Sequence, residues 1–250
     1  MRSHLFIGDT QVKPGVPLEH FDALGRLIAE RKPDVIVHAG DHWDMPSLSK
    51  YDEGTIYMEG RRIEADIEAG NEAIEILDEA IDAVPGYFPE KIFLIGNHEQ
   101  RIERFVVDNP KLEGFLGYDD LALDDWTIVP FLQIINVDGI RYAHYFVNPF
   151  TGKPQGGSVI SKLNKLKFSF AQGHVQKLEF HKEFLNDGGV MNGLTNGSFY
   201  MHDEGYKGPQ GNNHWRGITI LNGVYNGNYD LETISMDKLL FEPLPHAIHT

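Results

Sequence analysis

The 250-residue chain contains no cysteine, which excludes disulfides and thiolate metal sites and leaves His, Asp, Asn and Gln as the side chains able to hold a metal. Its formal net charge of −15 at pH 7 opposes sequence-independent binding to a long polyanion and repels phosphate unless positive charge is supplied locally. The longest apolar runs are strand-length, no linker divides the chain and Met1-Arg2-Ser3-His4 leads straight into a strand, so one cytoplasmic domain without a membrane span or signal peptide is expected over residues 1–250.

In chain order, Leu5-Phe6-Ile7 forms a first strand that breaks at Gly8 and presents Asp9, Thr10 and Gln11. Pro17 opens a helix in which Leu18, Phe21, Leu24 and Ile28 recur at helical spacing, and Lys32-Pro33 stops it. The strand Asp34 to His38 runs into Gly40-Asp41-His42-Trp43-Asp44. The polar stretch from Met45 to Glu59, with Tyr51 and Tyr57, is long enough to cover a neighbouring site. A long helix is expected from Arg61 to Val84 on the stripe Ile63, Ile67, Ile74, Leu77, Ile81 and Val84, ended by Pro85-Gly86. The strand Lys91 to Ile95 delivers Gly96-Asn97-His98-Glu99, and a short helix follows from about Arg101 to Val107.

Strands predominate beyond this point, after a solvated connection that carries Asp119, Asp120, Asp124 and Asp125. Phe131 to Val137 and Ile140 to Tyr145 are expected to pair about Asp138-Gly139, a strong hairpin signal, with His144 at the end of the second strand. Ser158 caps a helix to about Leu166, and the strand Phe168 to Gln172 leads into Gly173-His174-Val175-Gln176. Strands near Leu178 to Phe184, Gly193 to Phe199, Gly217 to Leu221 and Tyr229 to Ser235 are expected to complete a second sheet, with the tail through Pro243 and Pro245 along the surface. Lys153, Lys162, Lys165, Lys167, Lys177 and Lys182 form a basic window, read as a solvated face, with a cationic lip for an anionic substrate as the alternative.

Three apolar runs thus break at glycine and present oxygen or nitrogen ligands at strand ends, where ligands bind in open α/β sheets. Asp41 is the expected hub, because a carboxylate leaving a buried strand needs a cation or a donor to offset its desolvation.

The series Asp9-Thr10-Gln11, Gly40-Asp41-His42-Trp43-Asp44, Gly96-Asn97-His98-Glu99, His144 and Gly173-His174-Val175-Gln176 resembles, in order, the motifs of the calcineurin-like metallophosphoesterases. The resemblance implies an α/β fold, a four-layer sandwich of two mixed β-sheets flanked by helices, with the active site at the C-terminal ends of the strands. It further implies two divalent metal ions, with Asp41 bridging them, Asn97, His144 and His174 on the second, and Asp9, Gln11 and Gln176 facing the first. His98 resembles the family's catalytic histidine and Asp44 its carboxylate partner, which would suit an acid working near neutrality. His38 and His42 do not stand at ligand positions of the motifs and are expected to pack or hydrogen-bond nearby.

Gln11 and Gln176 depart from the family pattern, which has histidines there. Neutral, hard amide oxygens should lower affinity for zinc or ferrous iron and favour manganese or magnesium, so manganese is expected first, with magnesium, zinc or iron as alternatives and a weakened first site. The activity implied is hydrolysis of phosphate esters, with phosphodiesters of nucleotides or nucleic-acid ends preferred over phosphoproteins because Met45-Pro46, not Arg, follows Asp44. A DNA exonuclease or endonuclease of the same family and a non-catalytic, single-metal binding module are the rival readings.

Overall fold

The computed structural model describes residues 1–241; the tail through Pro243 and Pro245 lies outside them. The strands are β1 (Arg2–Ile7), β2 (Val35–His38), β3 (Glu90–Leu94), β4 (Thr127–Val129), β5 (Ile135–Val137), β6 (Ile140–Ala143), β7 (Phe170–Gln172), β8 (Glu179–Phe184), β9 (Val190–Thr195), β10 (Gly217–Tyr225) and β11 (Asn228–Ser235). The helices are α1 (Glu19–Arg31), α2 (Ile63–Asp82), α3 (Gln100–Asp108), α4 (Val159–Leu166), α5 (Gly208–Gly211) and α6 (Met236–Phe241). The strands form two mixed sheets, one of six in the order β11-β10-β1-β2-β3-β4 and one of five in the order β5-β6-β7-β9-β8.

The layering follows from a period-two pattern in the first three strands. Leu5, Ile7, Ile36, Phe93 and Ile95 join Leu24, Ile28, Ile74, Leu77 and Leu239 under the helices on one side. Phe6, Val35, Val37, Ile92 and Leu94 point the other way and meet Ile140, Tyr142, Ala171 and Leu194 of the second sheet. The far side of that sheet is covered by α4, where Val159 and Leu163 pack on Phe170 and Met191. Helix, sheet, sheet and helix therefore stack as four layers.

Two features correct the sequence reading. β10 and β11 do not belong to the second sheet; β10 lies antiparallel against β1, with Leu5 opposite Ile220. The strand expected from Phe131 shrinks to Ile135–Val137, because Pro130 has no N–H to give a ladder and the Gln133 N–H closes a turn onto its carbonyl. The hairpin itself turns through Asp138 and Gly139 at φ 52° and 88°, the left-handed pair that a two-residue turn of this hand requires.

The basic window does not make a lip. Lys162 is buried, Lys182 pairs with Asp230 and Lys177 with Glu179, and Lys177 is the member of the window that reaches the cleft described below.

Candidate metal centre

The parallel strands β1, β2 and β3 end side by side, and each hands over to a loop that carries a candidate ligand: Asp9 after β1, Asp41 after β2, and Asn97 and His98 after β3. In the second sheet β6 and β7 are also parallel, and they release His144 and His174. Hydrogen bonds stitch the two rims together. His144 Nδ1 lies 2.7 Å from the Ala39 carbonyl, Phe199 N–H donates to the Asp9 carbonyl at 2.8 Å, and Asn196 Nδ2 donates to the carbonyl of Phe6 at 2.9 Å.

The loops are held in costly conformations. Gln11, Asp41, His174 and Gln176 have φ of 42°, 50°, 65° and 55°, a region that non-glycine residues rarely occupy and that clusters at functional sites. At Gly96 a Cβ would stand 2.3 Å from Asp41 Oδ1 and 2.4 Å from Asp41 N. Only glycine lets the third loop approach the hub so closely.

Asp41 is 2% exposed and its carboxylate is the meeting point. Oδ1 accepts the His98 backbone N–H at 2.9 Å, and Oδ2 lies 3.3 Å from His144 Nε2 and 3.8 Å from His98 Nε2. Burial alone would raise its pKa, but His144 and His98 hold the carboxyl well below the carboxylate range. Asn97 Oδ1 is 3.1 Å from the same His144 Nε2. Because His144 Nδ1–H donates to Ala39, the neutral ring turns its Nε2 lone pair toward two oxygens. Three acceptors then face one point, and a proton on Nε2 or a cation between them satisfies the set. Without a cation the Asp41 charge outweighs burial and raises His144 to about 9. One ligand atom each from Asp41, His144 and His174 lies within 4.8 Å of the others, so with Asn97 these residues fit a divalent ion.

The other expected ligand set is arranged differently. Asp9 is fully buried, and its Oδ1 accepts the His174 backbone N–H at 2.9 Å while Oδ2 accepts Gln176 Nε2 at 3.1 Å. Burial and the Asp41 charge push Asp9 up to about 6. Gln176 directs its NH2 to Asp9 and its amide oxygen to Tyr200 and Lys207. Gln11 keeps a buried Oε1 without a hydrogen-bond partner.

His98 and Asp44 are brought together. His98 Nδ1 is 2.8 Å from Asp44 Oδ1 and 3.0 Å from the Asp44 carbonyl, and Nε2 faces the site. Burial works against the imidazolium, yet the Asp41 and Asp44 carboxylates raise His98 to about 9. Asp44 also pairs with Lys13 at 3.0 Å, and Lys13 bridges to Glu204 at 2.6 Å. His42 and His38 hydrogen-bond to Thr10 Oγ1 at 2.6 and 3.3 Å behind the site.

The sequence reading assigns no role to several residues of the site. Glu99 accepts four backbone N–H bonds, from Gly96 (2.8 Å) and Asp41 (3.0 Å) on Oε2 and from His42 (2.5 Å) and Trp43 (3.0 Å) on Oε1. Burial and Asp41 push its carboxyl up to about 7, opposed by His144, His98 and the Gly96 N–H. Arg101 donates to the Asp44 carbonyl at 2.7 Å and sets a guanidinium nitrogen 3.4 Å from His98 Nε2. Its position three residues after His98, as α3 begins, is a readable signal. Lys207 and Tyr200 come from distant sequence and carry none.

A model of the calcineurin-like phosphoesterases matches residues 4–239. The chain belongs to that family. Among solved structures it is similar to Yfce, a phosphoesterase from E. coli, at 13% identity and a TM-score of 0.45, covering 94% of this chain and 99% of that one. It is also similar to Vps29 of Chaetomium thermophilum, at 10% identity and a TM-score of 0.45, covering 94% and 98%. Comparison with curated protein sequences gave no significant match.

Two clefts open beside this candidate centre. One, of about 640 Å³, is lined by Gln11, Asp41, His174, Gln176 and Lys207. The other, of about 900 Å³, runs past Lys13, Asp44, Tyr51 and Arg101. Asn97 and His98 line both, so they form the divide between them. No helix among the described residues is long and apolar enough to cross a membrane.

Proposed function

We propose that this calcineurin-like phosphoesterase hydrolyses phosphodiesters of nucleotides or nucleic-acid ends. The observation that carries the reading is the junction of two clefts at Asn97 and His98. A diester has a substituent on either side of phosphorus, and two clefts meeting at the reacting group accommodate both. The larger cleft is lined by Tyr51, Arg62 and Arg101, with Arg61 paired to Asp52 at 2.6 Å and further acids such as Glu59 beside them; its aromatic face and cations suit a base and a sugar phosphate.

Asp41, Asn97, His144 and His174 would hold a divalent ion in this reading, manganese before magnesium, zinc or iron. Such an ion would supply Lewis acidity toward the phosphoryl oxygens and would lower the pKa of water toward neutrality. As the imidazolium, His98 donates its Nε2–H to a phosphoryl or departing oxygen, and Asp44 favours that charged form and orients the ring by accepting from Nδ1–H, 2.8 Å away. Arg101, 3.4 Å from Nε2, adds a donor beside the same oxygen. Glu99 holds the Asp41 and Gly96 loops in register, so the ligands are positioned before substrate arrives.

The test is hydrolysis of bis-p-nitrophenyl phosphate against the monoester, with each divalent metal and after chelation. Diester turnover that depends on added metal, best with manganese, supports the reading. Monoester preference, or full turnover by a metal-free preparation, overturns it.

A further inference from the structure

We propose that Lys207 takes the place of the first metal ion, so that this phosphoesterase works with a single divalent ion on Asp41, Asn97, His144 and His174. The inference rests on the metal-dependent reading above and concerns the residues around Asp9.

The hydrogen bonds run in one direction. Lys207 Nζ has donors only, so the Gln176 atom facing it is the amide oxygen. Lys207 also donates to Tyr200 Oη at 2.7 Å, and the Tyr200 O–H donates to the same Gln176 Oε1 at 3.0 Å. Gln176 Oε1 is therefore committed to two donors, which turns its NH2 onto Asp9 Oδ2 at 3.1 Å. The other Asp9 oxygen takes the His174 N–H. An amide NH2 cannot ligate a metal, so Gln176 contributes nothing to an ion at Asp9 in this arrangement. What remains is Gln11 Oε1, one neutral oxygen without a partner, and a carboxylate whose two oxygens already accept N–H bonds. That is a poor shell for a dication.

The contrast with the second position is internal to the molecule. There, Asp41 Oδ2, Asn97 Oδ1 and His144 Nε2 turn acceptors toward one another at 3.1 and 3.3 Å and leave a cation to be supplied. At Asp9 the donors are already present, and the positive charge comes from the chain. Burial draws the Lys207 pKa down, while the Glu204 and Asp9 carboxylates favour its charged form. Lys207 lines the same cleft as Gln11, Asp41 and Gln176, so its ammonium stands where it can also meet a substrate oxygen.

The experiment counts manganese on the intact protein and reads its paramagnetic resonance. At saturating manganese the wild type should bind one ion per chain and give the hyperfine sextet of an isolated ion. Lys207→Met removes the ammonium, and together with Gln176→His, which puts an ordinary ligand beside Asp9, the double variant should bind two ions and show an exchange-coupled spectrum. Lys207→Arg, which keeps the charge, should stay at one. Two ions with a coupled spectrum in the wild type would overturn the inference, as would a folded double variant that stops at one. A wild type that binds no manganese would instead remove the metal-dependent reading, and this inference with it.

Discussion

Asp44 Oδ1 stands 2.8 Å from Nδ1 of His98, and the Asp44 carbonyl stands 3.0 Å from the same nitrogen. Two acceptors on Nδ1 leave it as the donor and place the remaining ring nitrogen at the divide between the clefts. His98→Ala should lower turnover about a hundredfold or more, the usual worth of a general acid, with bound manganese unchanged. Asp44→Asn, which keeps the shape but not the charge, should lower turnover less than His98→Ala. Steady-state rates beside metal analysis check both, and loss of metal from His98→Ala with recovery of rate at saturating manganese would reassign His98 as a ligand.

Glu99 is a fixture of the backbone. In Glu99→Gln one carboxylate oxygen becomes an NH2 facing two N–H donors, so two buried donors lose their acceptor. Each unsatisfied group costs about 1–3 kcal/mol, and the urea midpoint should fall accordingly. Activity should fall with it, because either pair released, Gly96 with Asp41 or His42 with Trp43, lies in the loops that hold Asp41 and Asn97.

Gly70→Ala tests how α2 seats against the site. A Cβ at residue 70 would lie 2.0 Å from Trp43 Cδ1 and 2.1 Å from Nε1, and Trp43 is fully buried. Alanine is favoured over glycine in a helix by about 1 kcal/mol, but overpacking costs about 1–3 kcal/mol or more. The clash wins, and the variant should unfold at lower urea with a perturbed tryptophan emission.

His20 supplies a pH dependence away from the metal centre. It lies 1% exposed between the rings of Phe21 and Phe199, and burial lowers its pKa from 6.5 to about 3. The unfolded chain therefore binds the proton more readily between those values, so this group's contribution to stability is full above 6.5 and is lost as pH falls toward 3. His20→Leu removes that loss. Compared with the variant, the wild type should become less stable below pH 6.5 by up to about 1.4 kcal/mol per pH unit, read from urea titrations between pH 4 and 7.

Much of the fold and of the site is legible in the sequence because local chemistry and global fold agree. The alternation of Leu5, Phe6 and Ile7 assigns faces in one strand, and Lys32-Pro33 ends α1 where the structure ends it, with Lys32 as a left-handed cap. The ligand loops are readable because glycine followed by an acid or amide, repeated after three strands, is a pattern that plain turns seldom produce. A local reading misplaces β10 because its partner, β1, lies at the opposite end of the chain, and no local pattern encodes such a pairing. Arg101 stands in plain view at helical spacing from His98. Lys207 cannot be found that way, since the loop that carries it meets Gln176 only through the tertiary fold.

The position of β10 has a kinetic side. β1 lies between β2 and β10, with Leu5 opposite Ile36 on one edge and Ile220 on the other. During synthesis the loops with Asp9, Asp41 and His98 leave the ribosome long before Gly217 does, so a nascent chain carries β1 with one bare, apolar edge. Such long-range pairing is slow, and an unpaired edge strand is open to the wrong partner. The strands made after Gly217 are therefore the ones that close this edge of β1, and a ribosome that stalls ahead of them leaves a chain prone to aggregate.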